Sequence, residues 1–168
     1  CIFGTNCNGV DRGFYQGVGG EQIMFGDWIW LAEQEQKNQR VLFWDGFMVE
    51  DLDAPCDVWI CATDKYMLFI NGVLQGTGPA RSTRQEGWID RYEITSQLRK
   101  GKNTIAVSVW NYGCSTYQSL YDHGKLIFDI LQSGEVLVSS GESTWCMKDA
   151  GLITGAPKRN VNLGPADS

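Results

Sequence analysis

Tyr66-Met-Leu-Phe-Ile-Asn-Gly-Val-Leu-Gln-Gly-Thr-Gly-Pro-Ala-Arg81 is the stretch that decides how this chain folds. Tyr66, Leu68 and Ile70 alternate with Met67 and Phe69, which is the period of a β-strand. Asn71-Gly72 follows at once, and that dipeptide tolerates the positive φ angles of a two-residue hairpin turn. Val73 and Leu74 open a returning strand, which Gly76, Gly78 and Pro79 are expected to stop. Arg81 is then left in a tight loop at the sheet edge. A chain organised this way carries its function on loops at the ends of a sandwich, not in a helix-lined cleft.

The same pattern extends on both sides of the hairpin. Trp28-Ile-Trp30-Leu31 opens the compact part, and Arg40–Asp45 with Gly46–Val49 reads as a strand pair or one long bent strand. Asp57–Thr63, Trp88–Ile94 and Trp145–Lys148 read as strands, and Lys125–Leu131 with Val136–Val138 as a hairpin around Gly134. Thr104–Trp110 is the clearest strand, with Ile105, Val107 and Val109 on one face. Thr95-Ser-Gln-Leu98 predicts one helical turn with Thr95 as N-cap. Strands spaced by turn signals every 8–12 residues or so, with no long amphipathic helices between them, predict an all-β, antiparallel sandwich rather than a parallel α/β sheet. Three segments follow: an irregular N-terminal arm over 1–27, the sandwich over 28–150, and a polar strand or linker over 151–168 that contains Pro157 and Pro165.

The 168 residues suffice for one domain with a full core, and 43% hydrophobic with 12% aromatic content marks a globular chain. Seven Trp, six Tyr and seven Phe can fill a sandwich and also offer flat faces to sugars. A net charge of −6 argues against nucleic acid as a partner, because phosphate contacts need clustered Lys and Arg. The one dense basic run, Arg99-Lys-Gly-Lys102, reads as a solvated turn. No apolar run approaches the ~20 residues needed to span a bilayer. The N-terminus shows no basic-then-apolar leader, and Cys1 fits either a lipidated first residue or a chain cut from a longer one. An extracellular or periplasmic setting is expected ahead of a cytoplasmic one.

Six cysteines are too few for a disulfide scaffold at this length. Cys56 and Cys61, five apart on one strand, point to opposite faces and cannot pair with each other. Cys61 reads as a buried thiol. Cys1 with Cys7, or Cys114 with Cys146, remain open as bridges. Without a CxxC pattern, zinc is not expected.

Catalytic sets are sparse. The single histidine, His123, rules out a multi-His metal site, and no GxSxG elbow is present. Gly76-Thr-Gly78-Pro-Ala-Arg81 has a distant likeness to a phosphate loop but lacks its third glycine, and Pro79 removes an amide donor, so it reads as a turn. Asp90, Glu93 and Asp122 are carboxylates that a glycosidase reading would need to pair across a sugar. Among the acids, Glu50, Asp51 and Asp53 form a loop whose oxygens are the candidate ligands for Ca²⁺, the only cofactor the sequence suggests.

The loop Trp110-Asn-Tyr-Gly-Cys-Ser-Thr-Tyr-Gln-Ser-Leu-Tyr-Asp-His-Gly124 sets Tyr112, Tyr117 and Tyr121 among amides, hydroxyls and Asp122. Aromatic area with fixed polar groups is the general recipe for a small-ligand site. Arg81, Arg84 and Trp88 come from another strand-end loop that can meet it at one rim. These seven residues are the candidate sugar site. The competing reading has the tyrosines merely covering the core.

Taken in order, Trp28-Ile-Trp30, Val58-Trp-Ile-Cys-Ala-Thr-Asp-Lys-Tyr66, Phe69-Ile-Asn-Gly72, Gly78-Pro-Ala-Arg81, Tyr92-Glu-Ile-Thr95, Leu98-Arg-Lys-Gly-Lys-Asn103-Thr-Ile-Ala-Val107 and Thr144-Trp145 resemble the N-terminal accessory domain of bacterial α-L-rhamnosidases. Related multidomain glycoside hydrolases, including β-galactosidases, carry similar domains. The likeness runs from about residue 28 to 165, and its most specific parts are Tyr-x-x-x-x-Asn-Gly and Leu-x-x-Gly-x-Asn. It implies a galactose-binding-like jelly roll of two antiparallel sheets. It also implies an accessory role beside a catalytic barrel domain, with a plant or microbial polysaccharide or a simple sugar as partner. In that case the parent continues past Ser168, and its catalytic acids lie elsewhere. Two further functions stay open: a structural interaction or self-assembly module with no sugar site, and a small glycan-acting enzyme.

Overall fold

The computed structural model describes residues 5–6, 8–9, 24–32, 38–79, 89–114 and 123–148. Twelve strands run in the order β1 Thr5–Asn6, β2 Asn8–Gly9, β3 Ile29–Trp30, β4 Gln39–Val49, β5 Cys56–Ala62, β6 Lys65–Ile70, β7 Val73–Gly78, β8 Asp90–Glu93, β9 Gly101–Asn111, β10 Leu126–Gln132, β11 Glu135–Ser139 and β12 Trp145–Lys148. A single 3₁₀ turn, Thr95–Gln97, is the only helical element among the described residues. All pairings are antiparallel. One sheet has the order β1-β12-β4-β9-β6-β7, and the other β2-β3-β10-β5-β8, with β11 pairing β10 beyond β3. The expected all-β sandwich of two antiparallel sheets is what forms.

The alternation read from the sequence sets which side chains meet between the sheets. Across the first sheet Cys146, Phe43, Val107 and Leu68 fall in one register row. Across the second, Val58 faces Ile130 and Ile60 faces Phe128. All of these are buried and form one core with Tyr66, Ile70 and Ile105. The two stretches around Gly46 are one continuous eleven-residue strand, β4, paired residue for residue with β9 from Gln39–Asn111 to Val49–Gly101.

The second sheet is covered on its outer face as well. Cys61 and Ile127, on β5 and β10, pack there under Met24 and Trp28, with Trp59 and Ile89 beside them. Cys56 lies in the main core, so the two cysteines do face opposite sides of β5. Burial pushes both thiols up to about 11. The segment carrying Met24 and Trp28 is pinned by Asp129, whose carboxylate accepts the backbone N–H groups of Phe25 at 2.7 Å and Gly26 at 2.9 Å. Ser140 adds its hydroxyl to Asp27 O at 2.8 Å and accepts the N–H of Phe128 at 3.0 Å. Gly26 allows this closeness, because a Cβ there would lie 2.5 Å from Ser140 Oγ.

Four local expectations change. The 1–27 arm is not wholly irregular: β1 pairs β12 and β2 pairs β3, so it adds a short strand to each sheet. Gly76 does not stop the returning strand, which runs on to Gly78 and ends before Pro79 as expected. Both are glycines because a Cβ would meet the Tyr92 ring at 2.3 Å at position 76, and Asp90 and Tyr66 at position 78. Thr95 lies inside the 3₁₀ turn rather than capping it: Ile94 holds the cap position, and Thr95 Oγ1 accepts the N–H of Cys56 at 2.9 Å. Cys114 and Cys146 are not bridged, since both keep their thiols. Cys146 sits between the sheets opposite Phe43, whereas Cys114 lies past the end of β9.

Candidate functional site

The register sorts the connections to two ends of the sandwich. Gln39 pairs with Asn111, Lys65 with Trp110, Tyr66 with Gly78, Ile60 with Asp90, and Ala62 with Leu126. The chain therefore leaves and re-enters at one end for 31–38, 63–64, 79–89 and 112–125. The roots of the two loops that carry the candidate sugar residues lie at this same end. The turns at 71–72 and 133–134, the acidic loop and the 94–100 segment lie at the other.

Of the seven candidate sugar residues, Tyr112 is described; Arg81, Arg84, Trp88, Tyr117, Tyr121 and Asp122 lie outside the described residues. Tyr112 is fixed from both sides. Its N–H donates to Asp64 Oδ2 at 2.7 Å, and its carbonyl accepts the N–H of Asn38 at 3.0 Å. Its ring meets Trp110 edge-on, with centroids 4.9 Å apart. Burial, with Asp64 nearby, holds its phenol above the ordinary tyrosine range. Asn38 and Asp64 adopt φ of 57° and 54°, the left-handed conformation that Asn and Asp tolerate best, and so turn the chain at this rim. Asn38 Oδ1 also accepts the indole N–H of Trp110 at 2.7 Å.

Beneath this rim the core turns polar. Asn111 is fully buried, and its Oδ1 accepts the N–H of Gly113 at 2.6 Å. Gly124 admits the Trp30 ring and the Asn111 amide into the space a Cβ would fill. The side-chain amide of Gln39 and Nε1 of Trp30 are buried here without a hydrogen-bond partner. A buried polar group left unpaired costs about 1–3 kcal/mol, so this polar layer weakens the core at the loop end. Among these, Asn38, Gln39, Asp64 and Asn111 are missing from the candidate set read from sequence. The signal for Gln39 and Asn111 was the alternation itself, carried one step past the apolar residues of β4 and β9.

At the edge of this end, Tyr66 on β6 donates its hydroxyl to the carboxylate of Asp90 on β8 and lies 3.1 Å from the hydroxyl of Tyr92. Burial drives the Tyr66 phenol far up, and its bonds to Asp90 and Tyr92 drive it further. Asp90 thus joins the two sheets.

The acidic loop lies at the opposite end, and Glu50, Asp51 and Asp53 are all exposed. Asp51 Oδ1 accepts the N–H of Asp53 at 2.9 Å within the loop, and the Asp51 carbonyl accepts Gln132 Nε2 at 2.6 Å, which ties the loop to the end of β10. Among the described residues no group of three or more His, Cys, Asp or Glu is placed to hold a metal ion. No helix among them is long and apolar enough to cross a membrane.

No family model matches the chain, and no curated protein matches it. Solved structures do. A GH78 family rhamnosidase of Bacillus sp. GL1 is similar at 34% identity and a TM-score of 0.71, over 73% of this chain and 13% of that one. An α-L-rhamnosidase from Dictyoglumus thermophilum is similar at 24% identity and a TM-score of 0.57, over 66% of this chain and 13% of its own. A lectin from Pleurotus ostreatus, solved in complex with GalNAc, shares the fold at 16% identity and a TM-score of 0.53, over 97% of this chain and 44% of that chain. The chain is therefore similar to one small part of the GH78 α-L-rhamnosidases, spanning 13% of the length of the first two enzymes.

Proposed function

We propose that this chain is a noncatalytic accessory module of a glycoside hydrolase resembling the α-L-rhamnosidases, and that it binds a sugar at the loop end of the sandwich. The observation that carries the reading is that polar and aromatic groups gather at that end: Asn38 and Asp64 hold the backbone of Tyr112 at the rim, and its ring packs on Trp110. A sugar needs apolar ring contact together with hydrogen-bonding partners, and this end supplies both kinds of group. The GalNAc-bound lectin with the same fold and the 34% identity to a rhamnosidase support a carbohydrate role. The enzyme reading loses its best acid, because Asp90 serves as acceptor for a buried tyrosine between the sheets.

Titrating the chain calorimetrically with L-rhamnose, galactose and plant polysaccharides tests this. Binding of at least one sugar at millimolar concentration or tighter is expected. Trp88→Ala or Tyr117→Ala should weaken it by about 1–3 kcal/mol, the scale of one aromatic contact with its buried area, with no loss of fold. Silence toward every sugar at millimolar concentration removes the binding claim and leaves a structural module.

A further inference from the structure

Among the described residues, the outer face of the first sheet carries large apolar side chains that stay exposed. One register row crosses it strand by strand: Trp145 on β12 faces Trp44 on β4, Trp44 faces Ala106 on β9, Ala106 faces Phe69 on β6, and Phe69 faces Leu74 on β7. At about 4.8 Å between strands the row spans roughly 19 Å. Trp145 is 44% exposed and Leu74 52%, while Trp44 and Phe69 lie half-buried between their neighbours. Soluble proteins seldom leave such a continuous apolar strip open without a use for it.

The charges on this face share one sign. Lys102 lies on it toward one end of the sheet, and Lys65 and Arg40 lie on it toward the other, flanking Trp110. Arg40 Nε donates to Ser108 Oγ at 3.0 Å. Among the described strand residues no acid shares the face, although the whole chain carries −6. Cations therefore stand on both sides of an aromatic row.

We propose that this face is a platform for an anionic, uronic-acid-bearing polysaccharide. The sugar rings lie along Trp145, Trp44 and Phe69, and the carboxylates reach Lys102 on one side and Lys65 and Arg40 on the other. The charge pattern selects this occupant. A second copy docking through the same face would set like charges together, which costs affinity rather than adding to it. The platform meets the loop end at Trp110, whose ring Tyr112 touches edge-on, but its aromatic row lies on the sheet and not on the loops.

Affinity electrophoresis of the full chain through gels containing polygalacturonate, a neutral galactan or dextran sulfate tests this. Retardation by polygalacturonate is expected, with little by the galactan. Trp145→Ala should weaken it at least tenfold, as should the pair Lys65→Glu and Lys102→Glu, which are exposed and leave the core untouched. Excess free L-rhamnose or galactose should leave it unchanged, which separates this surface from the loop end. No retardation by polygalacturonate overturns the proposal. So does equal retardation by dextran sulfate that survives Trp145→Ala, which would be ion exchange only. A dimer in sedimentation that Trp145→Ala dissolves also overturns it, because the face would then be a protein interface.

Discussion

The side-chain amide of Asn71 donates to Oδ1 of Asn103 at 2.8 Å, joining the hairpin turn to the start of β9. Asn71 also donates to Gln97 O at 2.9 Å and accepts the N–H of Thr104 at 3.0 Å. Asn103, fully buried, donates to Arg99 O at 2.7 Å and Gly101 O at 2.9 Å, and accepts the N–H of Arg99 at 3.0 Å. These are the asparagines of the Asn-Gly and Leu-x-x-Gly-x-Asn patterns. Asn71 reaches across to the 97–104 segment, and Asn103 holds that segment's turn while accepting the Asn71 amide.

Asn103→Ala is therefore expected to lower stability by about 3 kcal/mol, since it strands two carbonyls, one backbone N–H and the Asn71 amide in a buried place. Urea unfolding with an unchanged slope reads this directly. A loss under ~1 kcal/mol would mean that water satisfies these groups and that the network is not what ties the turn to β9. Sugar affinity should not change, because the network lies at the end away from the candidate site.

The glycines of β7 give a sharper contrast. At Gly78 an added Cβ meets Asp90, and at Gly76 it meets the Tyr92 ring at 2.3 Å. Gly78→Ala and Gly76→Ala should each cost about 2 kcal/mol or more, because the Tyr66–Asp90–Tyr92 group must shift between the sheets. At Gly46 the nearest atom to an added Cβ is Lys102 Cε at 3.6 Å, an ordinary contact. Gly46→Ala should be neutral or stabilising by up to ~1 kcal/mol, since a strand interior disfavours glycine. Equal costs at all three positions in thermal or urea melts would show that loss of glycine flexibility, not the tyrosine cluster, sets the effect.

Much of this architecture was legible in the chain. Alternation fixed the inward faces of β6 and β9, and Asn71-Gly72, with φ of 49° and 81°, turned where that dipeptide predicts. Glycine was the misleading signal. Its breaker role is local, but Gly76 and Gly78 answer to Tyr92 and Asp90, which arrive from β8 across the sandwich. The same holds for Asp129: nothing in Ile127-Phe-Asp-Ile130 shows that the backbone of residues 25–26 will cross the strand there. The polar floor of the loop end was partly legible, because Asn111 follows Ile105, Val107 and Val109 in phase. The meeting of Trp30, Gln39 and Gly124 is a product of three separate connections and has no local signature.

Asp129 carries the last prediction. Burial holds its carboxyl above the ordinary 3.8, against the opposing pull of the two backbone N–H groups it accepts from Phe25 and Gly26. The native state thus keeps this proton to a higher pH than the unfolded chain does. Stability from this group is greatest below the unfolded value and falls as pH rises through the raised one. Asp129→Asn cannot ionise, and its amide offers one acceptor where two N–H groups converge, so it should be less stable than wild type throughout. The difference between the two proteins, measured by urea unfolding from about pH 4 to about pH 7, should shrink as pH rises, because only the wild type pays for ionising a buried group. A difference that widens with pH would mean that the two amides favour the carboxylate more than burial opposes it.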